Sequence, residues 1–560
     1  MMIRKFTIIF IFLIPYISFT ASASPVNLNE NLSPSVVSEG INNLQNSERE
    51  INKLIEQRLH QAILNRSEEN SAKKSLPKLV ESKKCLPISG IYMQGISLLS
   101  TSDLKTLSAI PSDCITSHYI NKLASEITNL YIQKGYVTAR VKLIPPDYDK
   151  TLGIRIIEGF VEDIRGGDRW VNSQTLFPDL KNNPLNIHQL DQGLDQANRL
   201  QSNRTTLDIL PGTVNGGSII LLNNKHSTPW KVSVTTDNYG QKSTGKWMGR
   251  LNTSFDSPLG LSDFISFSGS STLNNSKKKH NHSYILLYSL PYGEMTFSGF
   301  YVDSKYRNKM QLQVRSINIR GNAEQAGMRA DWVFHRNQKQ IDTLSTQVVY
   351  KKGNNYLNDE KLITSSETVS LVSLSVNHLQ VIPTGIFTFD IGINKGMPWF
   401  DAQTVMDKDF IKGQMSLNLK KSFILFKSSY FFDSELYTQY SRNRLPAMEC
   451  IDIGDKNNIR GFNGSFLCSD NGWYLRNTLS YPIPIPQGSL TLSIGGDLGQ
   501  SKSYSNKGEW INAIGLNAGM TLRYQQLFAD IQVSQGKILS PQYRGLDNPI
   551  QLLTRFSYSF

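Results

Sequence analysis

From about residue 229 to Phe560, apolar and polar positions alternate in short runs separated by turn residues. Ser489-Leu490-Thr491-Leu492-Ser493-Ile494 alternates strictly, and Leu527 to Ser534 does so apart from Phe528. The chain ends Phe556-Ser557-Tyr558-Ser559-Phe560, with aromatics on one face and serines on the other. A period of two predicts strands with unlike faces, which a soluble sandwich or a secreted β-solenoid would also show. Aromatic strand ends such as Tyr430-Phe431-Phe432, and a strand that runs to the last residue, favour a membrane barrel. At roughly 20 residues per strand and connection, residues 229–560 make about 16 antiparallel strands.

Upstream the period changes. Residues 85–228 read as two copies of one small α+β unit, with a boundary at 162/163. In the first copy, Ile91 to Leu99 predicts a strand, and Ile120, Leu123, Ile127, Leu130 and Tyr131 predict a helix face stopped by Gly135. Tyr136 to Val141 and Leu152 to Val161 predict two further strands. The second copy repeats the order: a helix through Ile187, Leu190, Leu194 and Ala197, a strand over Thr205–Leu210, a turn at Pro211-Gly212, and a strand over Ser218–Leu222. Residues 67–84 read as linker. Within residues 24–66, Ser47-Glu48-Arg49-Glu50 fits a capping box. Ile51, Leu54, Ile55, Leu59 and Ile63 then mark a narrow helical stripe, with Lys53, Glu56, Arg58 and His60 on the other faces.

The first residues change the setting. Arg4 and Lys5, an apolar run from Phe6 to Phe19, and Ala21-Ser22-Ala23 make a signal peptide over residues 1–23. The 560 residues carry 59 Lys and Arg against 46 Asp and Glu, a net charge of +13. Export weakens nucleic-acid binding as the meaning of that charge. Past the signal no apolar run approaches a membrane helix, which leaves a β-barrel open. The four cysteines lie in an oxidising compartment, and neither C-x-x-C nor paired His spacing points to a metal. No nucleophile elbow, zincin helix or Walker loop is present, so neither an enzyme nor a cofactor is expected.

Five phrases, weak singly, are strong in this order. They are Gln192-Gly193-Leu194-Asp195-Gln196-Ala197-Asn198-Arg199-Leu200, Thr206-Leu207-Asp208-Ile209-Leu210-Pro211-Gly212, Asp237-Asn238-Tyr239-Gly240 with Thr244-Gly245, Ile459-Arg460-Gly461-Phe462, and Gly496-Asp497-Leu498-Gly499. From about Asn46 to Phe560 the chain resembles the outer-membrane transporters of two-partner secretion, the haemolysin secretion/activation family within the Omp85 superfamily. The resemblance implies an N-terminal plug helix, two periplasmic POTRA domains (85–162 and 163–228) and a 16-stranded barrel in the outer membrane of a Gram-negative cell. It implies as partner a cognate secreted exoprotein that the barrel exports: a haemolysin, an adhesin or a contact-dependent toxin. It further implies outer-membrane lipid around the barrel, and periplasmic chaperones and the barrel-assembly machinery as partners in its biogenesis.

In that family a Val/Ile-Arg-Gly-Tyr/Phe tetrad on a long inward loop meets an aspartate of the barrel wall, and Ile459 to Phe462 match it. Alternation agrees independently. Leu490, Leu492 and Ile494 face lipid, so Asp497 faces the lumen, where a carboxylate is affordable. Arg460 and Asp497 are therefore expected to latch the loop, beside Gly499. With barrel and periplasmic parts on different sides of the membrane, the expected disulfides are Cys85–Cys114 and Cys450–Cys468. Phe560 is the expected barrel C-terminal signal. Sheet edges and amphipathic helices of residues 85–228 suit capture of an unfolded client by strand addition, with Gln192 and Gln196 as reporter positions. Lys277-Lys278-Lys279-His280 reads as a surface charge run. The rivals are a barrel-assembly insertase, a passive porin, which would not need residues 24–228, and a barrel enzyme.

Overall fold

The computed structural model describes residues 38–67, 85–111, 114–274, 277–311, 316–337, 339–462, 468–503, 509–540 and 549–560. The expected signal peptide and nearly all of the expected linker lie outside them. Helix α1 spans Ser38–Ser67. It begins nine residues before the expected capping box, and Ser47 sits inside the helix, 3% exposed, not at its cap. The early turns carry few apolar residues. Their helix is sustained by tertiary polar contacts, such as Asn43 with Asn281 and Asn46 with Asn457, which periodicity does not register.

The first small domain contains β1 (Gly90–Gln94), α2 (Thr101–Leu104), α3 (Ser117–Gln133), β2 (Arg140–Ile144) and β3 (Thr151–Ile157). Its sheet order is β1-β3-β2. Tyr119, Ile120, Leu123, Ile127 and Tyr131 bury one face of α3 against it, as their spacing requires. Three strand expectations shift. Strand β1 stops at Gln94 because Gly95 turns with φ +81°. Tyr136 closes the helix end instead of opening a strand: its N–H donates to Tyr131 O at 2.8 Å around Gly135, φ +91°. The run Leu152–Val161 splits between two sheets. Glu158, at the break, accepts from Ser97 N, Leu98 N and Tyr131 Oη. Burial pushes its carboxyl up, but those donors together hold it below the usual glutamate value.

The second domain contains β4 (Phe160–Gly166), α4 (Ser173–Leu176), α5 (Ile187–Asn198), β5 (Asn203–Pro211) and β6 (Gly217–His226), in sheet order β4-β6-β5. Val161 and Glu162 belong to β4, which pairs with β6, so a boundary at 162/163 cuts through a strand of the second sheet.

The remaining strands are β7 (Trp230–Asp237), β8 (Met248–Asp256), β9 (Phe264–Thr272), β10 (Lys279–Tyr292), β11 (Met295–Gln311), β12 (Ser316–Arg336), β13 (Gln340–Leu357), the two-residue β14 (Glu360–Lys361), β15 (Glu367–Ile382), β16 (Gly385–Met397), β17 (Ile411–Leu425), β18 (Ser428–Ser441), the short pair β19 (Ile451–Asp452) and β20 (Cys468–Ser469), β21 (Asn471–Ile485), β22 (Gly488–Lys502), β23 (Trp510–Tyr524), β24 (Leu527–Ile538) and β25 (Gln551–Ser559). Sixteen of these close into one antiparallel barrel, with β25 paired to β7. Closure leaves no unpaired edge, which lipid would not tolerate. Among the described residues no helix is long and apolar enough to cross a membrane.

Candidate functional site

The segment between β18 and β21 folds into the barrel. Its tetrad lands on a floor of small residues. Arg460 Nε and Nη2 donate to Asp497 Oδ2 and Oδ1 at 2.7 and 2.5 Å, and the Arg460 backbone N–H donates to Oδ2 at 2.9 Å. The guanidinium also donates to Asn477 O (2.7 Å), Thr478 Oγ1 (3.0 Å) and Asn517 Oδ1 (3.4 Å). The Arg460 side chain is 5% exposed and that of Asp497 0%. The contact is thus a two-pronged ion pair whose remaining donors are matched one by one. Four wall residues under the tetrad are glycines for a spatial reason. A Cβ on Gly495 would lie 2.3 Å from Arg460 Nη2, one on Gly515 2.3 Å from Arg460 O, one on Gly499 2.9 Å from Ile459 Cδ1, and one on Gly536 2.5 Å from Phe462 Cε2. Gly461, at φ +97°, lies against the backbone of Gln535 and Gly536.

The loop is gripped elsewhere too. Arg476 of β21 donates to Asn457 O at 2.7 Å. Near the loop's start, Glu449 accepts from Lys351 (2.8 Å, on β13) and Lys412 (2.7 Å, on β17). All three side chains are under 10% exposed. The same Lys351 donates to Glu48 of α1 at 2.8 Å, and Arg49 of α1 pairs with Asp455 of the loop at 3.0 Å.

Helix α1 runs through the lumen. Near its start Glu39 meets Thr244 and Asn281; towards its end Arg58 pairs with Asp256 at 3.1 Å and lies 3.9 Å over the Phe264 ring. Leu44, Ile51 and Ile55 pack on inward apolar residues of β9–β13, among them Phe264, Leu287, Val302 and Val349. A cavity of about 1300 Å³ remains beside the helix, lined by its polar face and the opposite wall. The stripe is therefore short of apolar surface because only one side of the lumen is apolar.

The description "Haemolysin secretion/activation protein ShlB/FhaC/HecB" matches residues 216–522 of this chain; "POTRA domain, ShlB-type" matches 86–159, and "POTRA domain" matches 148–211. The chain belongs to the haemolysin secretion/activation family. It is 46% identical over 522 residues to the hemolysin transporter protein ShlB of Serratia marcescens, covering 92% of this chain and 93% of that one. It is 45% identical over 549 residues to the hemolysin transporter protein HpmB of Proteus mirabilis, covering 96% and 98%. The solved structure of CdiB from Escherichia coli superposes with a TM-score of 0.83 at 24% identity, covering 94% of this chain and all of that one, which speaks for the fold. The protein is an outer-membrane β-barrel transporter with its POTRA domains in the periplasm.

Family membership orients the barrel. The β10–β11 turn touches the second POTRA domain, so that rim is periplasmic: Gly293 N donates to Thr175 O at 2.8 Å. Disulfides join Cys85 to Cys114 and Cys450 to Cys468, with Cα separations of 5.5 and 5.3 Å. Digestion of the mature protein without reductant is expected to release these two cross-linked peptide pairs; a crossed pair or free thiols in mass spectra would contradict the structure. Phe560 extends the seam, its N–H donating to Val232 O at 2.8 Å, with its ring outward.

The reporter positions fall elsewhere than expected. Gln192 and Gln196 are 6% and 3% exposed, because this face of α5 docks on the barrel, where Gln196 Nε2 donates to Thr296 Oγ1. Beside them Asp195 pairs with Arg336, and Arg199 donates to Ser289 Oγ. The amphipathic stripe marked a buried face correctly but not what covers it.

Sequence reasoning named Gly499 but missed Gly515 and Gly536 of the floor, Arg476, the Lys351–Glu449–Lys412 cluster and the apolar wall. The wall left a trace: Tyr284 to Leu287 is apolar at four successive positions, which a polar lumen does not explain. The floor predicts graded effects. Gly515→Ala pushes a Cβ into loop backbone that cannot give way, whereas Gly495→Ala meets only a guanidinium tip. Gly515→Ala is expected to reduce secretion nearly as far as loss of Arg460, and Gly495→Ala less, with immunoblots of culture medium as the readout.

Proposed function

We propose that this protein exports an unfolded exoprotein through the barrel, that the POTRA domains capture it, and that α1 and the Arg460 loop close the pore at rest. The observation that carries the reading is how the lumen is filled. Helix α1 contacts the wall through side chains, and the loop through side chains plus a few bonds of its own backbone, such as Gly536 N to Gly461 O at 3.2 Å, while every wall strand is paired to its neighbours. Both can leave or shift without breaking a wall hydrogen bond, so a pore can open in an intact barrel. The named relatives are hemolysin transporters, which favours a haemolysin as the cargo.

Capture belongs on an open sheet edge, and β2 of the first domain is one, with Leu143 50% exposed on it. A photo-crosslinker at Leu143 is expected to trap the exoprotein in the periplasm. The whole reading is tested by reconstituting the protein in vesicles with the N-terminal domain of a candidate exoprotein. Binding in an extended state followed by transfer across the bilayer supports it. Equal trapping of an unrelated outer-membrane protein favours an insertase.

A further inference from the structure

The lysine run near residue 278 takes no part in the pore, yet the strands it leads into gather basic residues on the outside of the barrel. Direction follows from the inward neighbours. Asn281 reaches Glu39 of α1, and Tyr306, Asn308 and Ile319 are at most 3% exposed, so His280, His282, Lys305, Arg307, Lys309 and Arg320 point outward. Register then sets them in rows: His280 opposite Arg307 opposite Arg320, and His282 opposite Lys305. The β10 and β11 chains are stapled just above, where Lys309 N donates to Lys278 O at 2.9 Å.

The height of these rows fits a headgroup layer. Met295 pairs with Trp332 at the periplasmic rim, and from there β11 rises about 25 Å to Lys305 at ~3.4 Å per residue and ~40° tilt, the height of a barrel's apolar band. Exposed Tyr284, Leu286 and Tyr301 lie just below. The rows therefore stand where lipid tails end and headgroups begin, on the extracellular side.

Charge balance calls for an anion. Like charges directly opposite on a sheet repel, yet Arg307 faces Arg320. Arg320 is neutralised by Asp359 at 2.9 Å and stacks 4.3 Å from the Tyr356 ring; Lys305 has Asp303 at 3.8 Å. Among the described residues no carboxylate lies within ion-pair distance of Arg307 or Lys309. Arginine offers a planar fork that matches phosphate oxygens.

We propose that the outward face of β10–β12 at its extracellular end binds the phosphate groups of a glycolipid in the outer leaflet. The headgroup phosphates supply the missing counter-charge to Arg307 and Lys309, while the acyl chains lie on Tyr284, Leu286 and Tyr301. The site holds the barrel at a fixed depth and is separate from the export path.

The test uses the full-length protein in detergent, with bound lipid counted by native mass spectrometry. The probes are bisphosphorylated lipid A, the same lipid stripped of phosphate, and inorganic phosphate as competitor. Wild type is expected to retain lipid A. The double variant Arg307→Gln with Lys309→Gln should bind it about thirtyfold more weakly, from loss of the two interfacial cations with no carboxylate partner. Arg307→Lys should keep most of the binding, and heat-modifiable mobility on gels should show all variants folded. Equal retention by the glutamine variant, equal binding of the dephosphorylated lipid, or displacement of lipid A by inorganic phosphate would each overturn the proposal.

Discussion

Arg460→Ala is expected to cut exoprotein secretion at least tenfold while the barrel stays inserted and heat-modifiable. Removing one partner of a buried pair costs about 3–5 kcal/mol, because it leaves the other charged and uncompensated. Here Asp497 would keep only the Arg460 backbone N–H as a donor from the tetrad. Asp497→Ala should be milder, because the guanidinium retains Asn477 O, Thr478 and Asn517. Arg460→Lys should rescue poorly, since an ammonium cannot reach both carboxylate oxygens and these acceptors at once. The same acceptors bear on a charge swap. Arg460→Asp with Asp497→Arg would restore secretion only if the pair were a bare charge contact, and the swapped carboxylate would face Asn477 O. No restoration is therefore expected. Exoprotein in the medium, measured against barrel in the membrane, decides; full secretion by Arg460→Ala would reduce the pair to an ordinary buried contact.

Deleting residues 38–66 should raise single-channel conductance several-fold in planar bilayers. A helix with its side chains is about 10 Å across, and it would vacate the space beside a cavity already about 1300 Å³ in volume. Lys351→Ala should give a smaller effect, as more frequent openings, because it frees Glu48 on the helix and weakens the hold on Glu449 of the loop in one change. Unchanged conductance after the deletion would mean that α1 does not limit flow.

Much of the architecture was legible because each element leaves one face apolar. Alternation from residue 229 onward marked barrel strands, since lipid rewards one face of each. The 3.6-residue stripes at Ile120–Tyr131 and Ile187–Ala197 marked α3 and α5 because their sheets bury them. The tetrad Ile459–Phe462 was visible as a motif, and Asp497 as an inward carboxylate, because a charge on a lipid-facing position would be costly. Failures came where a polar surface covers the element. Helix α1 began early at Ser38 because its first turns are held by amide contacts. Leu152–Val161 looked like one strand because two sheets happen to meet at Glu158-Gly159.

By itself, then, the sequence determined which positions face lipid, which helices have a buried side, and that a loop arginine and a wall aspartate of opposite charge exist. These are local properties, written in the spacing of side chains along one element. Only the tertiary structure decided what each surface meets. Arg460 reaches Asp497 because glycines on β22, β23 and β24 let the loop backbone lie against the wall. Lys351 joins α1 to the loop because closure of the barrel brings residues about 100 and 300 positions apart within hydrogen-bond range. Such contacts depend on distances across the lumen, and no period along the chain encodes them.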